Sequence, residues 1–234
     1  PNVLAGFAVS VLPLMLASRT SNVVTRLFLY SGICAGALVI VLSLSRAAWI
    51  TSVIIGVGIF SIATVRRNRA QWRLIVASIF FAVVPLCAYV QKYFTPLLNL
   101  HNQSVSDRLV LLGAAFNLFQ RNPLLGIGAN NFIPLLSTVL NLHTISYGLQ
   151  PVHSTFALIL AEGGIFGLSL YLFLCGVAIV HIYKTKYYVL GFSLFGIIFL
   201  GFFDHYFVTL QQTMFSMAIV FGVIFSQNTS THRL

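Results

Sequence analysis

The sequence predicts an all-α, polytopic transmembrane protein of about seven spans. Three observations carry this. Of 234 residues, 59% are hydrophobic and 7% are charged, whereas a soluble domain carries about 25% charged residues. The few charges are spaced so that long apolar runs lie between them. Finally, 13 Lys and Arg stand against three acids, Asp107, Glu162 and Asp204, so the +10 charge has to sit in loops around an apolar body.

The charges mark out the spans. No charged residue falls between Arg26 and Arg46, between Arg46 and Arg66, or between Arg73 and Lys92, and each gap matches the roughly 20 residues needed to cross the hydrocarbon core. The expected spans are 3–18, 27–44, 47–64, 74–91, 154–180, 189–205 and 210–226. Orientation follows from cations in short loops. Arg19, Arg26, Arg66, Arg67, Arg69, Arg73, Lys184, Lys186 and Arg233 alternate correctly as cytoplasmic. The opposite face then receives Arg46 in a tight turn, the segment 92–152 with Lys92, Arg108 and Arg121, the entry of span five at His153, and the end of span six at Asp204 and His205.

The external loop 92–152 has architecture of its own. Ser106-Asp107-Arg108 is a helix start, Leu109, Leu112, Phe116 and Phe119 form an apolar stripe, and Asn122-Pro123 is a stop. This predicts a helix lying on the membrane surface. In 123–132, glycines and asparagines interrupt an apolar run, which reads as a loop or re-entrant segment, since an eighth crossing would invert the later cation pattern. The whole of 1–234 reads as one transmembrane domain. Because it opens on Pro1 without Met, it is expected to be the C-terminal part of a longer chain.

Several function classes drop out. The aromatics are mostly Phe inside apolar runs, which is unlike a nucleic-acid face. Cys34, Cys87 and Cys175 have no metal or disulfide spacing. No paired-carboxylate motif suits a hard divalent cation, and three scattered carboxyls make a poor glycoside hydrolase. No metal and no cofactor are expected.

Six residues carry candidate chemistry. Arg46, between two apolar runs, is either a snorkelling helix end or an anion clamp, because its planar fork matches phosphate oxygens. Arg108, expected as the second residue of the surface helix, gains nothing from the helix dipole there and points to an external anion or a lipid headgroup. His153 is a polar helix cap or a base available near neutral pH. Glu162, about 13 Å further along a continuous helix and half a turn out of phase, is a poor partner for His153 and needs a partner of its own. Gly163, Gly164 and Gly167 beside it suit close helix packing. Asp204 and His205, with Tyr206, Thr209, Gln211 and Gln212, make a polar cluster at the turn between spans six and seven. His101, His143 and His181 have no such company.

Ser45-Arg46-Ala47-Ala48-Trp49, Arg108 ahead of Asn122-Pro123-Leu124-Leu125-Gly126-Ile127-Gly128-Ala129-Asn130-Asn131-Phe132, Pro151-Val152-His153-Ser154, and Glu162-Gly163-Gly164-Ile165-Phe166-Gly167-Leu168 together resemble the O-antigen ligase and O-antigen polymerase superfamily. Asp204-His205-Tyr206 with Thr209-Leu210-Gln211-Gln212 is similar to a bacterial branch of it. The resemblance implies a glycosyltransferase of the C type in the bacterial inner membrane, with its active site on the periplasmic or extracellular face. Such an enzyme moves a glycan from undecaprenyl diphosphate to a hydroxyl of a glycolipid, polysaccharide or protein, as in lipopolysaccharide biosynthesis, without metal. It further implies that Arg46 and Arg108 grip the diphosphate and that His153 activates the acceptor, with Glu162, Asp204 and His205 in support. Ser154 and Ala47 stand where the family usually has Asn and Gly. Repeat-unit polymerisation and protein glycosylation fit the same residues. A flippase or transporter would also carry intramembrane charges, but its inverted repeats are not evident.

Overall fold

The computed structural model describes residues 2–18, 20–66, 103–141 and 149–228. The expected span 74–91, Arg19, Arg67, Arg69, Arg73, Lys92, Arg233, Cys87, His101 and His143 lie outside the described residues. Those described are helical: α1 (Asn2–Ala17), α2 (Val23–Leu42), α3 (Arg46–Arg66), α4 (Gln103–Arg121), α5 (Phe132–Leu136), α6 (Thr155–Thr185), α7 (Tyr188–Leu200), α8 (Tyr206–Thr209) and α9 (Gln211–Phe225). They fall into two compact units, one built from 2–66, 178–200 and 211–228, the other from 103–177 and 201–210.

In the first unit, local chemistry sets the helix ends. Asn22 Oδ1 accepts from the amides of Val24 and Thr25 at 2.9 and 3.3 Å and caps α2. At the α2–α3 corner, Leu44 adopts a φ of 56°. The buried Trp49 indole donates to the Ile40 carbonyl at 2.7 Å, which satisfies one of the free carbonyls at the end of α2. α1 packs on α2, α7 and α9. Gly196 of α7 lets the side chain of Val9 approach closely, and Ser10 donates to Ser216 of α9 at 3.4 Å.

Two described helices, α2 and α6, are long and apolar enough to cross a membrane, yet only 11% and 17% of their apolar windows are buried. A helix at the core of a soluble protein would be mostly buried, so these faces, with Phe28, Phe166, Phe173 and Tyr183 exposed, suit contact with lipid. α1, α7, α9 and the Arg46–Ile62 part of α3 are apolar but shorter.

In the second unit, α4 buries Leu111, Ala114, Ala115 and Leu118 against Phe132, Leu136, Val152, Leu158 and Ala161. Its opposite face exposes Leu109, Leu112 and Phe116. The expected stripe is therefore the outward one, and the core is built from the residues between its members. α4 also begins earlier than the sequence suggests. Arg108 is the sixth residue of Gln103–Arg121, and Asp107 is buried within the helix.

The larger correction concerns α6. Its 31 residues would extend about 46 Å as one rod, against a hydrocarbon core of about 30 Å. Gly164, at φ 64° and ψ −164°, breaks it into two helices. The 123–128 turn fills the break. Ala161 and Glu162 carbonyls accept from Ile127 and Gly128 amides at 3.0 and 2.9 Å, while Ile165 and Phe166 amides donate to Pro123 and Leu124 carbonyls at 2.8 and 3.2 Å. Groups that a continuous helix would pair internally are thus paired by the loop.

Candidate functional site at the entry of α6

The second unit brings His153, Asp204 and His205 together. Ser154 caps α6. Its hydroxyl accepts from the Ala157 amide at 3.3 Å, and its carbonyl accepts from Leu158 at 3.0 Å. The amide and hydroxyl of Thr155 both donate to the Asp204 carbonyl, at 3.0 and 2.9 Å, and the amide also reaches Gly201 at 2.8 Å. These bonds fix the 201–204 turn against the start of the helix and so place Asp204 beside His153.

Asp204 Oδ1 lies 3.7 Å from His153 Nδ1 and 3.9 Å from His205 Nε2. The same oxygen accepts from the His205 amide at 2.9 Å. The two imidazoles are 5.7 Å apart between centroids, inclined at 50°. His205 Nδ1 is 2.8 Å from Thr209 Oγ1. The Thr209 hydroxyl donates to the His205 carbonyl at 3.2 Å, so its oxygen is left to accept from His205 Nδ1–H, while at 3.9 Å His205 Nε2 is too far from Asp204 for a hydrogen bond. His153 Nδ1 is buried and has no hydrogen-bond partner among the described residues. The side chains of His153 and Asp204 are 19% and 13% exposed, so the cluster is shielded but not sealed from solvent.

Burial opposes ionisation of Asp204, but the neighbouring imidazoles and the His205 amide outweigh it and hold the carboxyl below its ordinary value. His205 is pushed below its ordinary value by burial, with Asp204 opposing and His153 reinforcing the shift. The phenol of Tyr206 is raised by burial and by Asp204 and stays neutral. A histidine whose folded pKa lies below its unfolded value of 6.5 binds fewer protons folded than unfolded between the two, so stability falls as pH drops through that window. Asp204 adds nothing there, since its contribution is lost only at more acidic pH, as the carboxyl protonates. The thermal midpoint should therefore fall when pH is lowered from 7 to 5, and His205→Gln should flatten that step. An equal step in both proteins would refute it.

The other expected residues go elsewhere. Glu162 Oε1 accepts from the Phe132 amide at 3.0 Å. It caps α5, whose own Asn131 makes no side-chain cap, and with its carbonyl it anchors the 127–132 segment. Arg121 donates to the Thr138 carbonyl at 3.1 Å. Arg108 is half-buried on α4, one turn before Leu111, which shares a core cluster with Val152, the neighbour of His153. Arg46 is exposed at the first turn of α3, in the first unit. Sequence reasoning missed Thr155 altogether and did not single out Thr209 as the partner of His205.

Ser154 explains one departure from the family pattern, because Asn and Ser cap helices about equally well. Ser154→Asn should leave stability within about 0.5 kcal/mol, while Ser154→Ala should cost about 1 kcal/mol, measured by denaturation in detergent. Equal effects would remove the capping role.

No curated protein and no solved structure matches the chain. The family model described as O-antigen ligase matches residues 31–172, more than half of the chain, including Arg46, Arg108, His153 and Glu162 and stopping short of Asp204 and His205. With its apolar helices and this order of motifs, the chain belongs to the O-antigen ligase family of membrane enzymes.

Proposed function

We propose that this chain carries the catalytic centre of a metal-independent glycosyltransferase of the bacterial inner membrane, with about seven of its spans, a GT-C-like fold and 92–152 as a periplasmic loop. It moves a glycan from undecaprenyl diphosphate to an acceptor hydroxyl. The observation that carries this is the half-buried His153 with Nδ1 turned to Asp204. With the proton on Nδ1 facing the carboxylate, Nε2 is left as a base.

In this mechanism Nε2 takes the proton of the acceptor hydroxyl as its oxygen attacks the anomeric carbon. The bond from that carbon to the diphosphate oxygen breaks, and the diphosphate leaves with the electron pair. Arg46 and Arg108 receive the growing negative charge, which the permanently charged guanidinium fork matches in geometry and sign. Only three carboxyls are present in this chain, and Glu162 is committed to α5, so cationic side chains serve here in place of a carboxylate-held metal.

The test is reconstitution of the full-length protein with lipid-linked oligosaccharide and candidate acceptors, with products identified by mass spectrometry. Glycan joined to glycolipid supports the ligase reading. Extended lipid-linked glycan or glycosylated protein would replace it with polymerase or protein transferase. Arg46→Lys and Arg108→Lys should each raise the donor concentration for half-maximal rate about tenfold, because a point charge does not reproduce a bidentate fork. An unchanged donor dependence would remove the diphosphate role.

A further inference from the structure

The His153–Asp204–His205 cluster has a property that proton transfer does not use. One donor atom from each residue lies within 4.8 Å of the other two. Two edges of that triangle are short, 3.7 Å from His153 Nδ1 and 3.9 Å from His205 Nε2 to the same carboxylate oxygen. Four-coordinate zinc, with ligands at about 2.0–2.2 Å, needs edges of about 3.3 Å, which small side-chain rotations reach.

We propose that these three residues form a site for a borderline divalent ion, Zn²⁺ above all, whose occupancy inhibits the enzyme. Two imidazoles and one carboxylate are a nitrogen-rich set that favours zinc over magnesium or calcium. The buried His153 Nδ1, without a hydrogen-bond partner among the described residues, gains a ligand bond. With His205 Nε2 on the ion, the ring proton sits on Nδ1 and is donated to Thr209 Oγ1, 2.8 Å away, the outer contact that orients a ligating histidine. The fourth position is left to water, since all three side chains keep some exposure to solvent. Charge also favours the ion, since the carboxylate supplies a negative group between two neutral rings. Inhibition follows from the imidazole's two nitrogens. A neutral ring that gives its Nδ1 lone pair to a metal carries its proton on Nε2 and cannot accept one from a hydroxyl.

The inhibitory consequence rests on His153 being the base, while ion binding does not. Tag-free full-length protein in detergent, without donor or acceptor, is titrated with Zn²⁺ by calorimetry, and with Co²⁺ by its visible ligand-field absorption. The expected result is one ion per chain at micromolar concentration, with a rise in thermal midpoint that EDTA reverses. His153→Ala, Asp204→Asn and His205→Gln should each weaken binding at least tenfold. Absence of saturable one-to-one binding by the unmodified protein overturns the site whether or not the variants fold, and undiminished binding by the triple variant does the same. In the transfer assay, zinc at saturating occupancy should reduce the rate at least tenfold. Unimpaired transfer by the zinc-loaded protein would overturn the inhibition. Loss of transfer in His153→Ala, with no zinc binding by the unmodified protein, would sink the metal site and leave the glycosyltransferase reading standing.

Discussion

Full-length protein carrying His153→Ala is expected to transfer glycan about 10²–10⁴-fold more slowly, the range that a positioned base contributes, while still folding and binding the lipid-linked donor. His153 is 19% exposed in its side chain and lies before α6 begins, so its removal leaves the Ser154 cap and the Thr155 bonds to Asp204 in place. Asp204 is a positioning residue in this scheme, and its signature is non-additivity. Asp204→Asn alone should slow transfer, because an amide that presents its NH₂ to Nδ1 drives the ring proton to Nε2. Once His153 is absent, Asp204→Asn should cost little more, as expected for residues that act as one unit. Turnover and donor affinity measured on the four proteins of this cycle decide the matter. Near-normal transfer by His153→Ala would sink the base assignment. Additive losses would make Asp204 a separate contributor to folding or binding.

How much of this was legible in the sequence depends on the distance over which each signal acts. Helix class, apolar spans and the α4 stop at Asn122-Pro123 are local, set by composition, periodicity and turn chemistry. Arg46, Arg108 and His153 stood out because charged residues are rare in this chain. The pairing of His153 with Asp204 did not, since it is made by the amide and hydroxyl of Thr155 across about fifty positions, and no spacing rule anticipates a bond from a threonine to a distant carbonyl. Glu162 shows the same limit. Its depth in an apolar run correctly demanded a partner, but the partner is the Phe132 amide, visible only once α5 is known to lack a cap of its own. The outward stripe of α4 shows a related ambiguity. Leu109, Leu112 and Phe116 have the periodicity of a buried face, and a membrane surface asks for the same pattern as a protein core.

Gly164→Ala is expected to destabilise the protein by more than about 4 kcal/mol, an exceptional loss for one methyl group. If 155–185 formed one continuous helix, the same change would stabilise it by about 1 kcal/mol, because alanine is the better helix former, so even the sign of the effect decides between the two. At φ 64° and ψ −164° the backbone occupies a region open essentially to glycine, costing other residues about 1–3 kcal/mol. A Cβ there would also collide with the Leu124 carbonyl, and one on Gly126, itself at φ 71°, would collide with the Glu162 carbonyl. Both contacts are backbone and cannot swing aside. Relief requires withdrawing the 123–128 turn, which gives up the four bonds that close the break in α6, each worth about 0.5–1.5 kcal/mol. Gly163 and Gly167 are built-in controls. They are equal to Gly164 in sequence, but a Cβ on either meets Ile159 at an ordinary 4.0 or 3.8 Å, so Gly163→Ala and Gly167→Ala should be neutral or slightly stabilising. Because Glu162 anchors both the turn and α5, Gly164→Ala should also remove transfer activity, with the site disordered and the amount of membrane-inserted protein reduced. Stability measured in detergent by denaturant titration is decisive. A rise with Gly164→Ala, or equal effects at all three glycines, would restore the continuous helix and refute the interlocked loop.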